Sequence, residues 1–229
     1  MVSQGLKSLL AGLALSVAGT LPAVSQTHYD ANISVGAHGG LNLSRVMFTP
    51  GVSQGMLPGA SFGLMFRYIE ENHFGFIVEL NYNQRGWKED FDGEPFSYSR
   101  TADFIELPFL AHIYFGRRGR FFINAGPSVS LFVRESTSSN FNYKDISSIP
   151  DFPTRTTYQF TMPINAKVDY GISGSIGGEF SVNQRNAISL EARFYLGLAN
   201  LLKSGRSEYI RGSNPMTISI SAGYWFRIK

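Results

Sequence analysis

The sequence predicts an all-β chain, an eight-stranded antiparallel up-and-down transmembrane β-barrel with short periplasmic turns and long extracellular loops. Three observations predict it. Apolar and polar residues alternate with a period of two in eight segments, which separates two faces of a strand and would scatter them around a helix. The links between segments are alternately short and long, as in a barrel with turns on one side of a membrane and loops on the other. The polar face is mostly Gly, Ser and Asn, with a few charges of both signs, which suits a crowded interior better than a surface in water. Only 16% of the 229 residues are charged, against roughly 25% in an ordinary soluble domain.

The first segment reads as an export signal, residues 1–25. Lys7 is the single charge before Asp30, an apolar core runs from Leu9 to Val17, and Ala23-Val24-Ser25 offers a cleavage site before Gln26. That core is too short to cross about 30 Å of hydrocarbon as a helix. Residues 26–229 are then one outer-membrane β-barrel domain, and no apolar run of about 18 residues remains in it.

The eight alternating segments are Ile33–Leu43, Ala60–Tyr68, Phe74–Tyr82, Ile105–Phe115, Phe121–Val133, Asn165–Val182, Ile188–Leu196 and Met216–Ile228. Short links of residues 69–73, 116–119 and 183–186 follow the even members. Long links of residues 44–59, 85–102, 134–164 and 199–214 follow the odd ones. Most prolines fall in long loops or at strand starts, where a missing N–H does little harm. Pro108 and Pro127 fall inside strands and require a bulge or a local break in the ladder.

The polar faces place Arg67, Glu79, Glu106, His112, Lys167, Asp169, Glu179, Glu191 and Arg193 in the lumen, where opposite charges can satisfy each other. The apolar face meets lipid and carries aromatics near its ends. Tyr68, Phe74, Phe115, Phe121, Phe180 and Tyr224 lie beside the short turns, and Tyr82 and Tyr170 lie toward the loops, the positions of an interfacial girdle.

Several motifs are similar to those of the PorT-like outer-membrane β-barrel proteins of Bacteroidetes-type bacteria. They are Val35-Gly36-Ala37-His38-Gly39-Gly40-Leu41-Asn42-Leu43-Ser44, Glu79-Leu80-Asn81-Tyr82-Asn83-Gln84-Arg85-Gly86, Ile105-Glu106-Leu107-Pro108-Phe109-Leu110, Asn124-Ala125-Gly126-Pro127, Tyr170-Gly171 with Gly177-Gly178-Glu179, and Tyr195-Leu196-Gly197-Leu198-Ala199-Asn200-Leu201. The resemblance implies the outer membrane of a Gram-negative bacterium. It also implies a link to protein secretion through the founding member. Lys229 stands where many outer-membrane barrels carry a terminal aromatic.

Several chemistries are excluded. Without cysteine there are no disulfides, thiolate zinc sites or cysteine nucleophiles. The formal net charge of +3 and the lack of a basic stripe argue against nucleic acid. Of the four histidines only His38 is mid-strand on the polar face, where it reads as a lumen hydrogen-bonder. No catalytic pair, metal-ligand spacing or cofactor motif is evident. Asp90-Phe91-Asp92-Gly93-Glu94 lacks the distal carboxylate of a calcium loop.

The first expectation is therefore a monomeric, non-enzymatic structural or interaction barrel in outer-membrane lipid. Its lumen is plugged, and loops 134–164 (with Phe141, Tyr143, Phe152 and Tyr158) and 85–102 meet an outside protein. A narrow channel ranks second and a lipid-modifying enzyme third.

Overall fold

The computed structural model describes residues 31–165, 167–203 and 208–229; the export signal expected at residues 1–25 lies outside them. Eight long strands follow one another: β1 (Asn32–Thr49), β2 (Leu57–Glu71), β3 (Phe74–Glu89), β4 (Tyr98–Gly116), β5 (Gly119–Ser139), β6 (Val168–Ser181), β7 (Asn186–Gly197) and β8 (Gly212–Arg227). A two-residue strand, Gln54–Gly55, adds to the end of β3, and a 3-10 turn (Ile146–Ser148) and one α-helical turn, α1 (Tyr158–Thr161), lie between β5 and β6.

Each long strand pairs antiparallel with its neighbours in sequence, and β1 pairs with β8 from Ser34–Arg227 to Thr49–Gly212. The sheet thus closes on itself. A closed ring leaves no edge of unpaired N–H and C=O groups, the condition for a sheet to cross hydrocarbon.

The burial pattern is inverted relative to a protein that folds in water. Leu41, Leu64, Leu190 and Ile220 are more than 60% exposed on the outside, while Glu79, Glu106, Asp169, Arg67 and Arg85 are buried inside. Exposed apolar residues recur around the wall, a surface that water would not tolerate and that lipid stabilises.

The strands outrun the segments expected from alternation. β3, β4 and β5 have 16, 19 and 21 residues, whereas about 9–11 tilted residues cross a bilayer. The surplus lies at the long-loop end. Lipid-facing residues of β3 end near Tyr82, and the outward positions beyond it are Gln84, Gly86 and Lys88. Residues 85–89 and 98–102, expected in a loop, are therefore strand, and the connection shortens to Asp90–Ser97. The segment expected to begin at Asn165 begins instead at Val168.

Both in-strand prolines sit where a ladder lapses. The β3–β4 register skips from Val78–Phe109 to Asn81–Glu106, beside Pro108. The β4–β5 register skips from Pro108–Ser128 to Ala111–Ala125, beside Pro127. A proline has no N–H to donate, so the wall opens locally at each. On the lumen side Gly63 has no room for a side chain, since a Cβ there would stand 2.0 Å from the Asn81 amide oxygen.

Candidate functional site

Three groups of ion pairs fill the lumen. Nearest the short turns, Arg67 pairs with Glu179 and lies 4.3 Å over the Trp225 ring, while Arg120 Nη1 reaches the same carboxylate at 3.4 Å. Met65, Ile77, Leu110, Ala187 and Trp225 pack as a small apolar cluster inside the barrel. His112 Nδ1 is 2.7 Å from the Asn124 amide oxygen, and Asn124 donates to Ser175 at 3.1 Å.

Midway along the lumen, Arg193 donates both Nη groups to Glu79 at 2.6 Å and its Nε to Glu191 at 2.7 Å. Asn81 donates to Glu79 at 2.7 Å, and His38 Nε2 lies 2.8 Å from the Asn81 oxygen. Toward the loops, Arg85 pairs with Glu106 and lies 3.8 Å over Tyr195, whose hydroxyl donates to Asp169 at 2.6 Å. Asn83 donates to Glu106 at 2.5 Å. Charge-assisted bonds of this kind, away from bulk water, are strong and geometrically specific. What space remains beside His38, Asn42, Arg85, Arg193 and Thr217 is about 20 Å³, room for about one water molecule.

Eight of the nine residues expected in the lumen network are there. Lys167 is not: it precedes β6, is exposed, and offers its carbonyl to the Phe132 N–H at 2.9 Å. Its apparent alternation with Val168 and Asp169 falls at the end of the connection into β6, where strand phase does not yet decide which way a side chain faces. Arg85, Arg120 and Tyr195 are lumen partners absent from that set. For Arg85 the signal was present, since it continues the inward phase of Glu79, Asn81 and Asn83.

Of the aromatics expected at the lipid boundaries, Phe115, Phe121, Tyr170, Phe180 and Tyr224 stand half or more exposed on the outer wall. Tyr68, Phe74 and Tyr82 are partly covered by neighbours: Phe74 packs edge-on against Phe76, and Tyr82 stacks on Phe62 at 5.0 Å.

The long-loop end is closed by an apolar cap. Val46, Phe48, Trp87, Phe91, Tyr98, Ala102, Phe104, Phe160, Leu201, Leu202 and Ile210 form one buried cluster. Phe48 meets Trp87 edge-on at 5.3 Å, and Tyr98 meets Phe160 at 4.3 Å. Phe141, Tyr143 and Phe152, expected to face a partner from the loop, pack against this cluster instead. A loop this rich in aromatics lowers its free energy by covering the open barrel end. Tyr158 remains outside, stacked on Tyr209 at 3.7 Å, the two being 43% and 64% exposed.

Polar bonds pin the cap from beneath. Arg100 donates to the Met162 carbonyl at 2.7 Å and pairs with Glu135 at 2.6 Å. Gln159 and Arg155 donate to the two oxygens of Glu89 at 3.0 and 2.8 Å. Burial pushes the Glu89 carboxyl up to about 7, against the opposing pull of Gln159 and Arg155. From its ordinary value of 4.5 to about 7, the folded chain holds the extra proton, so rising pH loosens the cap through that window. Trypsin should cut after Arg155 faster at about pH 8 than at about pH 5, relative to a loop-free substrate, and Glu89→Gln should abolish the difference.

Among the described residues no group of His, Asp and Glu is placed to hold a metal.

The model of the outer membrane protein beta-barrel domain family matches residues 24–203. Among solved structures, the chain is similar to OprG of Pseudomonas aeruginosa (12% identity, 87% of this chain and 97% of that one, TM-score 0.49). It is also similar to outer membrane protein W of E. coli (18%, 87% and 100%, 0.43) and to Neisserial surface protein A (13%, 85% and 97%, 0.42). No curated protein sequence matches it. With a closed ring, an apolar outer wall and a family match over most of its length, the chain belongs to the outer membrane protein β-barrel domain family and resides in the outer membrane of a Gram-negative bacterium.

Proposed function

We propose that this is a non-conducting, non-enzymatic barrel that acts through the outer surface of its cap. The observation that carries this reading is the double closure of the lumen, by Arg–carboxylate groups along its length and by the buried aromatic cluster at its loop end. The same closure makes the cap a rigid platform, which lowers the entropy lost when a protein partner binds. The stacked Tyr158–Tyr209 pair is its exposed aromatic feature, and tyrosines of this kind anchor interfaces. The motifs from Val35 to Leu201 support a finer placement among the PorT-like barrels, and the Lys7-to-Ser25 pattern supports a cleaved export signal.

Planar-bilayer recording tests the reading against the channel alternative. The purified protein should insert without steady conductance steps. Reproducible open levels in the native protein would establish the channel instead.

A further inference from the structure

The short-turn mouth of the barrel gathers five arginines, of which, among the described residues, Arg120 alone shares a carboxylate of the lumen network. Arg117 and Arg118 form the tip between β4 and β5, and Arg120 follows on the lumen side of β5. Arg185 lies in the turn between β6 and β7, and Arg227 ends β8. Backbone bonds hold these turns side by side. The Ser181 N–H donates to the Arg118 carbonyl at 3.0 Å, and the Arg227 N–H to the Arg185 carbonyl at 2.7 Å.

A cavity of about 440 Å³ opens between them, and Arg117, Arg118, Arg120 and Arg227 line it with no carboxylate. An adjoining cleft adds Arg67 and Arg185 and a single acid, Glu179, which Arg67 and Arg120 already hold. Like charges converging this way raise the energy of the empty mouth, and the main-chain bonds keep them from dispersing. Arg120 Nε is buried and has no hydrogen-bond partner among the described residues, a vacancy that a native structure seldom leaves unexplained.

We propose that this mouth is an oxyanion site that takes a phosphate group presented from the periplasmic side. A carboxylate is satisfied by one bidentate guanidinium. A phosphate spreads its charge over three oxygens and can be shared by several forks at once, the arrangement that Arg117, Arg118, Arg120 and Arg227 offer. The side chain of Gln184, which also lines the cavity, supplies a neutral donor. Two sources present this chemistry: a small phosphorylated solute and the headgroup of an inner-leaflet phospholipid. The site is independent of the cap and of what the cap binds.

The full-length protein in phosphatidylcholine nanodiscs, titrated with inorganic pyrophosphate by calorimetry, provides the test. Saturable binding is expected, weakened about tenfold or more by R117Q/R118Q and unchanged by R134Q on the loop-side exterior. The Arg117 and Arg118 side chains are exposed in a turn, so the double variant should retain the heat-modifiable mobility of a folded barrel; R227Q provides a second, independent arm. If phosphatidylglycerol in the discs competes with pyrophosphate, the headgroup is the source. If it does not, a free phosphate ester is. Absence of saturable binding, or equal binding by wild type and R117Q/R118Q, overturns the proposal.

Discussion

Replacing Glu79 with alanine is expected to lower the unfolding free energy of the barrel by about 3–5 kcal/mol, the usual cost of removing one member of a buried ion pair. Glu79 is 2% exposed and accepts both Nη groups of Arg193 and the Asn81 amide. Without it Arg193 retains Glu191 alone, and Asn81 loses its acceptor in a site with room for about one water. The partner that remains, rather than the bond that goes, sets the cost. Replacing all three charged residues with apolar side chains of similar volume, E79L/E191L/R193M, should therefore restore most of the loss, because no buried charge is left without a partner. Urea titration in detergent micelles, followed by Trp225 fluorescence, reads both results as shifts in midpoint at constant slope. A loss below about 1 kcal/mol for E79A would mean that the lumen is solvated like a surface, and the channel reading would gain.

Trp87→Ala is the second large effect, and it should appear at the cap. The Trp87 side chain is fully buried, meets Phe48 edge-on and Tyr98 at 6.5 Å, and has the Arg100 guanidinium 5.6 Å above its ring. Truncation of such a ring costs about 3–5 kcal/mol, depending on how far the site collapses. The cap lies beyond the lipid-facing part of β3, so the loss should be spent on local opening while the eight-stranded wall persists. Limited trypsin digestion should then release fragments cut at Lys144 and Arg155, both outside the strands, while the strands stay protected. Intact loops in W87A would show that the aromatic cluster covers the barrel without holding it shut.

Most of the wall was legible in the sequence because lipid on one side and a narrow lumen on the other enforce the two-residue period without relief. Leu64, Met65, Phe66 and Arg67 declare their faces one by one, and Leu64, Phe66 and Arg67 stand on those faces. The limits of legibility follow from the same physics. Where β3 to β5 rise above the bilayer, outward positions become polar, as at Gln84 and Lys88, and the pattern reads as loop although pairing continues. Arg85 was lost to the network for that reason. Lys167 entered it falsely because it precedes Val168, where the strand begins. The cap was invisible for a different reason: Phe141, Tyr143 and Phe152 owe their burial to one another and to distant Trp87 and Tyr98, a non-local arrangement without a period.

The seam between β1 and β8 has a further consequence. Residues between 163 and 193 positions apart must meet, from Thr49 opposite Gly212 to Ser34 opposite Arg227. Until they do, the curved ribbon has two raw margins that hydrocarbon cannot solvate. Sealing is therefore a late and highly non-local event, slow in the way such topologies are slow. A nascent polypeptide emerging segment by segment has no stable half-cylinder to rest in, so delivery to the bilayer has to keep it unfolded until its final strand has arrived.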